Sequence, residues 1–261
     1  MIENNEIQRL VRHHTLDENQ SDLQLLPSMH STSCHKAESI FKSGKLSVTY
    51  CHVFKEKFLY LFYGKPVYKV SEKNREPRTD FLFSPSCFII DTKKISSKHN
   101  FPFDTGAFHQ RKYGGLFPND VELSSYELPL DIEQIPKFIN LFYGSNTKYL
   151  EGICCIADNH LTNSVSEFLG GLLKSAGITP FDDRAKTVEI ISDEDVSISE
   201  AVLAFIVPKP FLRNEYFITF VKQNPHIDII TYFTHYPTDP CSHNEVVFQK
   251  AVDYLIEKGC V

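Results

Sequence analysis

Two stretches of this 261-residue chain combine residue types that could do chemistry. The first is His30-Ser31-Thr32, a polar cluster that directly precedes a segment with helical spacing. The second is Glu189, a carboxylate among β-branched neighbours in KTVEIIS. A carboxylate held on a rigid strand can orient a hydroxyl or stabilise a developing cation. Strand alternation is equally compatible with a Glu189 side chain that points to solvent, so both interpretations stay open from this pattern.

A tyrosine-rich stretch, LYLFYGKPVYK, lies between these two. It offers Tyr60, Tyr63 and Tyr68 as rings against which a flat group could stack, although buried tyrosines more often belong to the core. Further along, Asp182 and Asp183 come shortly before the strand of Glu189. Three carboxylates in one region would also suit a hydrolase that uses a divalent metal ion.

Cysteine and histidine occur as adjacent pairs, Cys34-His35 and Cys51-His52, which raises the question of a zinc site. Zinc sites use four ligands at spacings that let the chain turn around the ion. Neighbouring residues on a helix or strand point apart, so these pairs favour ordinary thiols and imidazoles. The chain also lacks the Walker, GxGxxG, GxSxG and HExxH motifs.

Composition is that of a globular protein, with 42% hydrophobic and 23% charged residues. The net charge of −6 gives no global electrostatic support for a nucleic-acid partner. No apolar run is long enough to span a membrane, and the N-terminal stretch has no apolar signal region. Seven scattered cysteines then predict reduced thiols and a cytoplasmic location.

The pattern of apolar residues predicts an α+β domain, because strands and helices are mixed without regular alternation. We expect residues 1–24 to be an N-terminal extension and residues 25–261 to form one domain. A helix is predicted from Cys34 to Lys42, ended by Gly44, and a strand from Lys57 to Gly64 that continues past Pro66. Residues 101–118 are predicted to be loop-rich. Further helices are expected within 131–144, 159–177, 209–224 and 243–259, and further strands within 81–95, 186–198, 200–208 and 226–236.

The spacing around the histidine resembles a known family. His30-x-Thr32 is followed by Ile40, Gly44 and the pair Leu46-Ser47. This is similar to the opening of DarT-type ADP-ribosyltransferases and their wider superfamily, whose sites combine a histidine, a tyrosine and a glutamate. The resemblance implies a single domain with a split mixed or antiparallel β-sheet, flanked by helices, that clamps NAD as substrate in a central cleft.

The resemblance also implies roles for individual residues in holding NAD. His30, Ser31 and Thr32 would form the strand end that contacts a ribose and the nicotinamide amide. Tyr60 or Tyr63 would stack on the nicotinamide ring, with Tyr63 assigned here as the catalytic tyrosine. Arg78 would hold a phosphate.

By the same resemblance, Glu189 would hydrogen-bond a hydroxyl of the nicotinamide ribose and stabilise the oxocarbenium-like transition state. Thr187 occupies the position two before it, where some members have a second acidic or amide residue, so arginine-directed modification is not supported.

These observations together predict an NAD-dependent enzyme that transfers ADP-ribose to a macromolecule, either protein, DNA or RNA. A toxin or anti-phage defence effector is expected, with an antitoxin or regulatory partner and no membrane association. Two alternatives stay open: a non-catalytic nucleotide-binding module of the same fold, and a hydrolase that uses Asp182, Asp183 and Glu189.

Overall fold

The computed structural model describes residues 5–15, 23–67, 80–118, 120–176, 184–235 and 240–261. Ten strands lie in these ranges: β1 Ser28–Ser33, β2 Lys45–Leu46, β3 Thr49–Tyr50, β4 Lys57–Tyr63, β5 Pro85–Ile90, β6 His99–Phe101, β7 Glu189–Ser192, β8 Val196–Ser197, β9 Val202–Pro208 and β10 Asp228–Tyr232. The α-helices of the same ranges are α1 Glu6–His13, α2 Cys34–Ser43, α3 Thr105–His109, α4 Ile135–Tyr143, α5 Asn146–Glu151, α6 Ser164–Lys174, α7 Ile198–Ala201, α8 Glu215–Gln223 and α9 Asn244–Glu257.

One mixed sheet dominates the fold, and its strand order is β10-β9-β5-β1-β4-β7-β6. All neighbouring pairs in this order are antiparallel except β9 and β10, which are parallel. β3 extends the sheet beside β4, and β2 pairs with β8 in a small separate sheet. The predicted α+β class is therefore confirmed. The strands that carry His30, the tyrosines and Glu189 are three consecutive strands of the sheet: β1, β4 and β7.

The helix that follows His30 forms as its sequence predicts. Cys34, Ala37 and Phe41 recur at helical spacing and are buried against the sheet. Phe41 makes an edge-to-face contact with Phe205 of β9, with ring centroids 5.0 Å apart. Gly44 ends the helix with φ of 72°, the left-handed conformation that glycine adopts at little cost. This helix fixes where β1 must end.

The N-terminal helix belongs to the same hydrophobic core as the rest of the chain. Ile7 and Val11 of α1 are fully buried, and α1 packs against α4 and α6. The side chain of Asn5 caps the helix and also donates to backbone carbonyls of Ser124 and Glu127. The packing therefore does not set residues 5–15 apart as an extension, in contrast to the division expected at residue 24.

Residues 101–118 contain more structure than the predicted loop. Asp104 caps α3 by accepting a hydrogen bond from the Ala107 N–H. Phe103 packs its ring against those of Phe108, Tyr113 and two further aromatic residues at centroid distances of 5.5–5.7 Å. The glycines of this stretch suggested a loop, but its aromatic residues bury enough apolar surface to hold it against the sheet.

Other boundaries also differ from the prediction. β4 ends at Tyr63 and does not continue past Pro66 within the described residues, and residues 81–83 form a 3-10 turn before β5. A short helix, α7, precedes β9 where one continuous strand was expected. In the part of the chain that the structure describes, no helix has the length and apolar character needed to cross a bilayer.

Candidate active site

β1 and β4 are paired at one end only, and this separates the sheet into two halves. Their ladder consists of Ser28 opposite Tyr63 and Met29 opposite Phe62. Beyond this point β1 continues along β5 through all six of its residues, whereas β4 continues along β7. The strands thus diverge just after Met29. The sheet is mixed and mostly antiparallel, and β1 and β4 share only two residue pairs within it.

His30 lies at the point of divergence. Its Nδ1 is 3.1 Å from the backbone carbonyl oxygen of Tyr60, so the imidazole bridges the two separating strands. A carbonyl oxygen can only accept, so Nδ1 carries the hydrogen. Burial lowers the pKa of His30, so the ring is neutral near pH 7 and its Nε2 is available as an acceptor.

The two residues after His30 are held within the sheet. Strand alternation places Thr32 on the face of His30 and Ser31 on the opposite face. Thr32 is buried, and its carbonyl oxygen accepts a hydrogen bond from the Ser86 hydroxyl. The Ser31 hydroxyl is buried beside the Cys87 thiol, its partner in the β1–β5 ladder. The Ser31 hydroxyl is therefore enclosed by the protein, and the Thr32 backbone is held by β5.

Tyr60 links His30 on one side of the site with the surroundings of Glu189 on the other. Its carbonyl oxygen accepts from His30, and its partly exposed ring lies on the face of β4 that also carries Phe62. The Tyr60 hydroxyl donates to the Cys51 sulfur. Burial, this hydrogen bond and the nearby Glu189 carboxyl raise the pKa of Tyr60, so its hydroxyl stays neutral.

Glu189 is buried at the first position of β7, with a relative exposure of only 2%. Its Oε2 accepts two hydrogen bonds from Thr105, from the backbone N–H at 3.0 Å and from Oγ1 at 2.7 Å. The interpretation that Glu189 points to solvent is therefore excluded. Among the described residues, none donates a hydrogen bond to its second oxygen, Oε1.

The protonation of Glu189 is set by opposing effects. Burial raises the pKa of its carboxyl well above the ordinary value, and the negative charge of Asp104 raises it further. The two hydrogen bonds from Thr105 act in the opposite direction. Arg184 is also buried and lies with its guanidinium 4.0 Å from the Asp104 carboxylate. Glu189 is therefore a carboxyl group that holds its proton to unusually high pH.

The ladder registers relate the three residues of the site. Glu189 pairs with Phe62, so it lies on the same face as Tyr60 and diagonally adjacent to it. His30, counted through the β1–β4 ladder, falls on the other face. Tyr60 and Glu189 therefore lie on one face of the sheet and His30 on the other, at the place where β1 and β4 separate.

Tyr63, which we expected to be the catalytic tyrosine, has a different environment. It is fully buried, and its hydroxyl accepts a hydrogen bond from the Leu26 N–H. Its ring packs against Tyr149 at a centroid distance of 6.0 Å. The structure does not bring the Tyr63 side chain to the place where β1 and β4 separate, so Tyr60 is the tyrosine of this site.

Three further residues of the sequence hypotheses, Arg78, Asp182 and Asp183, lie outside the described residues. Within the described ranges, no group of three or more histidine, cysteine, aspartate and glutamate side chains could hold a metal ion.

Sequence reasoning did not connect Cys51, Asp104 and Thr105 with the Glu189 carboxyl. Asp104-Thr105 has the Asp-first pattern of a helix N-terminus, a signal that could have revealed α3. Nothing in that pattern indicates a glutamate 84 residues further along the chain.

Comparison with known proteins gave no match, neither among protein-family models, nor among curated proteins, nor among solved structures.

Proposed function

We propose that this protein binds NAD in the gap between β1 and β4 and cleaves its nicotinamide–ribose bond, as an ADP-ribosyltransferase that modifies a macromolecule. The observation that carries this proposal is the arrangement of His30, Tyr60 and Glu189 on three consecutive strands at the point where the sheet divides. The strand divergence supports the proposal because a dinucleotide needs an opening through which it can reach residues on both faces.

Each of the three residues has a chemical role in this reaction. The neutral His30 offers Nε2 as an acceptor for a ribose hydroxyl. The Tyr60 ring offers a partly exposed flat surface for the nicotinamide. Glu189 offers Oε1 to a hydroxyl of the nicotinamide ribose, and its charge stabilises the positive charge that builds on the sugar as nicotinamide leaves.

The raised pKa of Glu189 is compatible with this role because NAD brings its own cation. The nicotinamide ring is positively charged before the bond breaks, and an opposite charge within a few ångströms favours the ionised carboxyl. NAD binding is therefore expected to release the Glu189 proton. A buried carboxylate beside a buried cation interacts more strongly than the same pair in water.

The acceptor of the ADP-ribose group is a macromolecule in this proposal, and water takes its place in a minimal assay. We also propose a role as a toxin or defence effector with a partner that suppresses it, because uncontrolled NAD cleavage would harm the cell that makes the protein.

The test is to incubate the purified chain with NAD and to measure released nicotinamide and NAD binding. Wild type should release nicotinamide. His30→Ala and Glu189→Gln should each lower kcat/KM at least about tenfold, the usual effect of removing one positioned polar group. Glu194→Gln, which changes an exposed carboxyl just beyond the same strand, serves as the matched control.

Three outcomes separate the hypotheses. Neither NAD binding nor turnover by the wild type would refute the proposal. Binding without nicotinamide release would identify a non-catalytic nucleotide-binding module. A metal-dependent hydrolysis that His30→Ala leaves unchanged would favour the carboxylate hydrolase instead.

A further inference from the structure

Thr105 makes two hydrogen bonds to a single oxygen of the candidate catalytic carboxyl. Its N–H and its hydroxyl both point at Oε2 of Glu189, at 3.0 and 2.7 Å. Thr105 is itself fully buried, at the first position of α3. A hydroxyl and an amide that converge on one atom fix the plane of the carboxyl group and leave its other oxygen without a hydrogen-bond donor among the described residues.

We infer that Thr105 is a positioning residue that determines which oxygen of Glu189 meets the substrate and where that carboxyl group carries its proton. The inference rests on the proposed function for its catalytic consequence. Its structural part, the control of the Glu189 proton, is independent of NAD chemistry.

The location of the proton follows from hydrogen-bond chemistry. The backbone N–H can only donate, so Oε2 must accept whether Glu189 is neutral or ionised. The Thr105 hydroxyl also donates to Oε2, so both lone pairs of that oxygen are used and the proton of neutral Glu189 lies on Oε1. That is the oxygen that must accept from the ribose hydroxyl, so the proton has to leave before Glu189 can take up its catalytic form.

The titratable and charged groups near Glu189 come from several elements packed around it, and they include Arg184, whose guanidinium lies 4.0 Å from the Asp104 carboxylate. Asp104 precedes Thr105, Cys51 comes from the segment before β4, and Tyr60 lies on β4 itself. Asp104 and Cys51 raise the pKa of Glu189, and the pair of hydrogen bonds from Thr105 is the opposing influence. Removing the Thr105 hydroxyl should therefore move the ionisation of Glu189 to higher pH.

The decisive variant is Thr105→Val, which keeps the shape and the backbone N–H but removes the hydroxyl donor. Thr105→Ser restores a donor and should return the wild-type behaviour. Thr219→Val is the matched control, because Thr219 is an exposed residue of α8.

The first measurement is a carbon-13 NMR titration of the glutamate side-chain carboxyls, with Glu189 assigned by Glu189→Gln. The Glu189 titration should move to higher pH in Thr105→Val and return in Thr105→Ser. An unchanged titration in Thr105→Val would overturn the inference. If Thr105→Val does not fold, Thr105→Ser decides: a titration that differs from wild type despite the retained hydroxyl overturns the inference, and an unchanged titration supports it.

The second measurement is the pH profile of kcat/KM for nicotinamide release. Thr105→Val should lose about tenfold to a hundredfold at pH 7, the effect of one hydrogen bond to a charged group. The deficit should shrink at higher pH, where Glu189 ionises without help. A merely structural role would lower kcat/KM equally at every pH. If the wild type releases no nicotinamide, the proposed function is refuted. The NMR titration would still decide whether Thr105 controls the Glu189 proton.

Discussion

Replacing Glu189 by glutamine should make the protein more stable, and the gain should depend on pH. Glutamine has the same shape, and its carbonyl oxygen can accept both hydrogen bonds from Thr105. It removes a carboxyl group that is 2% exposed and lies near the negative charge of Asp104. The buried carboxyl group therefore lowers the free energy of unfolding of the wild-type protein, as is common for residues of functional sites.

The sign follows from proton binding in the two states. An unfolded chain releases the Glu189 proton near its ordinary pKa of 4.5, whereas the folded chain holds it to higher pH because the pKa is raised. The native state then binds more protons, so the contribution of Glu189 to stability falls as the pH rises above 4.5. This loss continues until the folded carboxyl also ionises.

The size of the effect has an upper limit. Keeping a carboxyl protonated costs about 1.36 kcal/mol per pH unit above its ordinary pKa, which amounts to at most about 5 kcal/mol at pH 8. The hydrogen bonds from Thr105 favour the ionised form and reduce this cost, so we expect Glu189→Gln to gain about 2 kcal/mol at pH 8. The gain should fall below about 1 kcal/mol at pH 5.

The assay is urea unfolding of wild type, Glu189→Gln and the control Glu194→Gln at pH 5 and pH 8. The control should follow the wild type at both pH values, because Glu194 is exposed. A Glu189→Gln protein that is less stable than wild type at pH 8, or equally shifted at both pH values, would refute the account of the buried carboxyl.

Three further predictions test other parts of the structure. Tyr60→Ala should weaken NAD binding about tenfold, measured by calorimetry, because it removes the ring on which nicotinamide stacks. Tyr63→Phe should leave NAD affinity unchanged. It should cost about 1–3 kcal/mol of stability in urea unfolding, because the buried Leu26 N–H loses its acceptor. In thermal unfolding, Gly64→Ala should cost at least about 2 kcal/mol of stability, since φ is +68° and a Cβ would lie 2.7 Å from a leucine methyl group. Gly44→Ala has a similar φ but open space around the Cβ, so it should cost about 1 kcal/mol of stability in the same assay. Ile7→Ala should cost about 2–4 kcal/mol if the N-terminal helix is part of the core, and an unfolding midpoint equal to that of the wild type would show that it is not.

Sequence patterns predicted the elements where local signals are strong. The helix from Cys34, its end at Gly44 and the strand over residues 57–63 all follow from apolar spacing and a glycine stop. The stretch 101–118 was misjudged because glycines suggested a loop, while the burial of its aromatic residues depends on partners elsewhere in the chain.

The site itself was predictable only in part. Strand alternation implies that Tyr60 and Tyr63 lie on opposite faces, since they are three residues apart, but it does not indicate which face carries the site. The burial of Glu189 was likewise undecided, because a glutamate at a strand end suits either face. Its contact with Thr105 depends on the order of β4, β7 and β6 in the sheet, which no local pattern encodes.

The place of β7 in the sheet also has a consequence for protein synthesis. β7 is inserted between β4 and β6, which both precede it along the chain, and its first residue is the candidate catalytic glutamate. A ribosome has therefore produced His30, Tyr60 and the two neighbouring strands well before Glu189 emerges. Under the proposed function, a nascent chain or a product truncated before residue 189 cannot consume NAD, so the activity arises only after β7 has paired between β4 and β6.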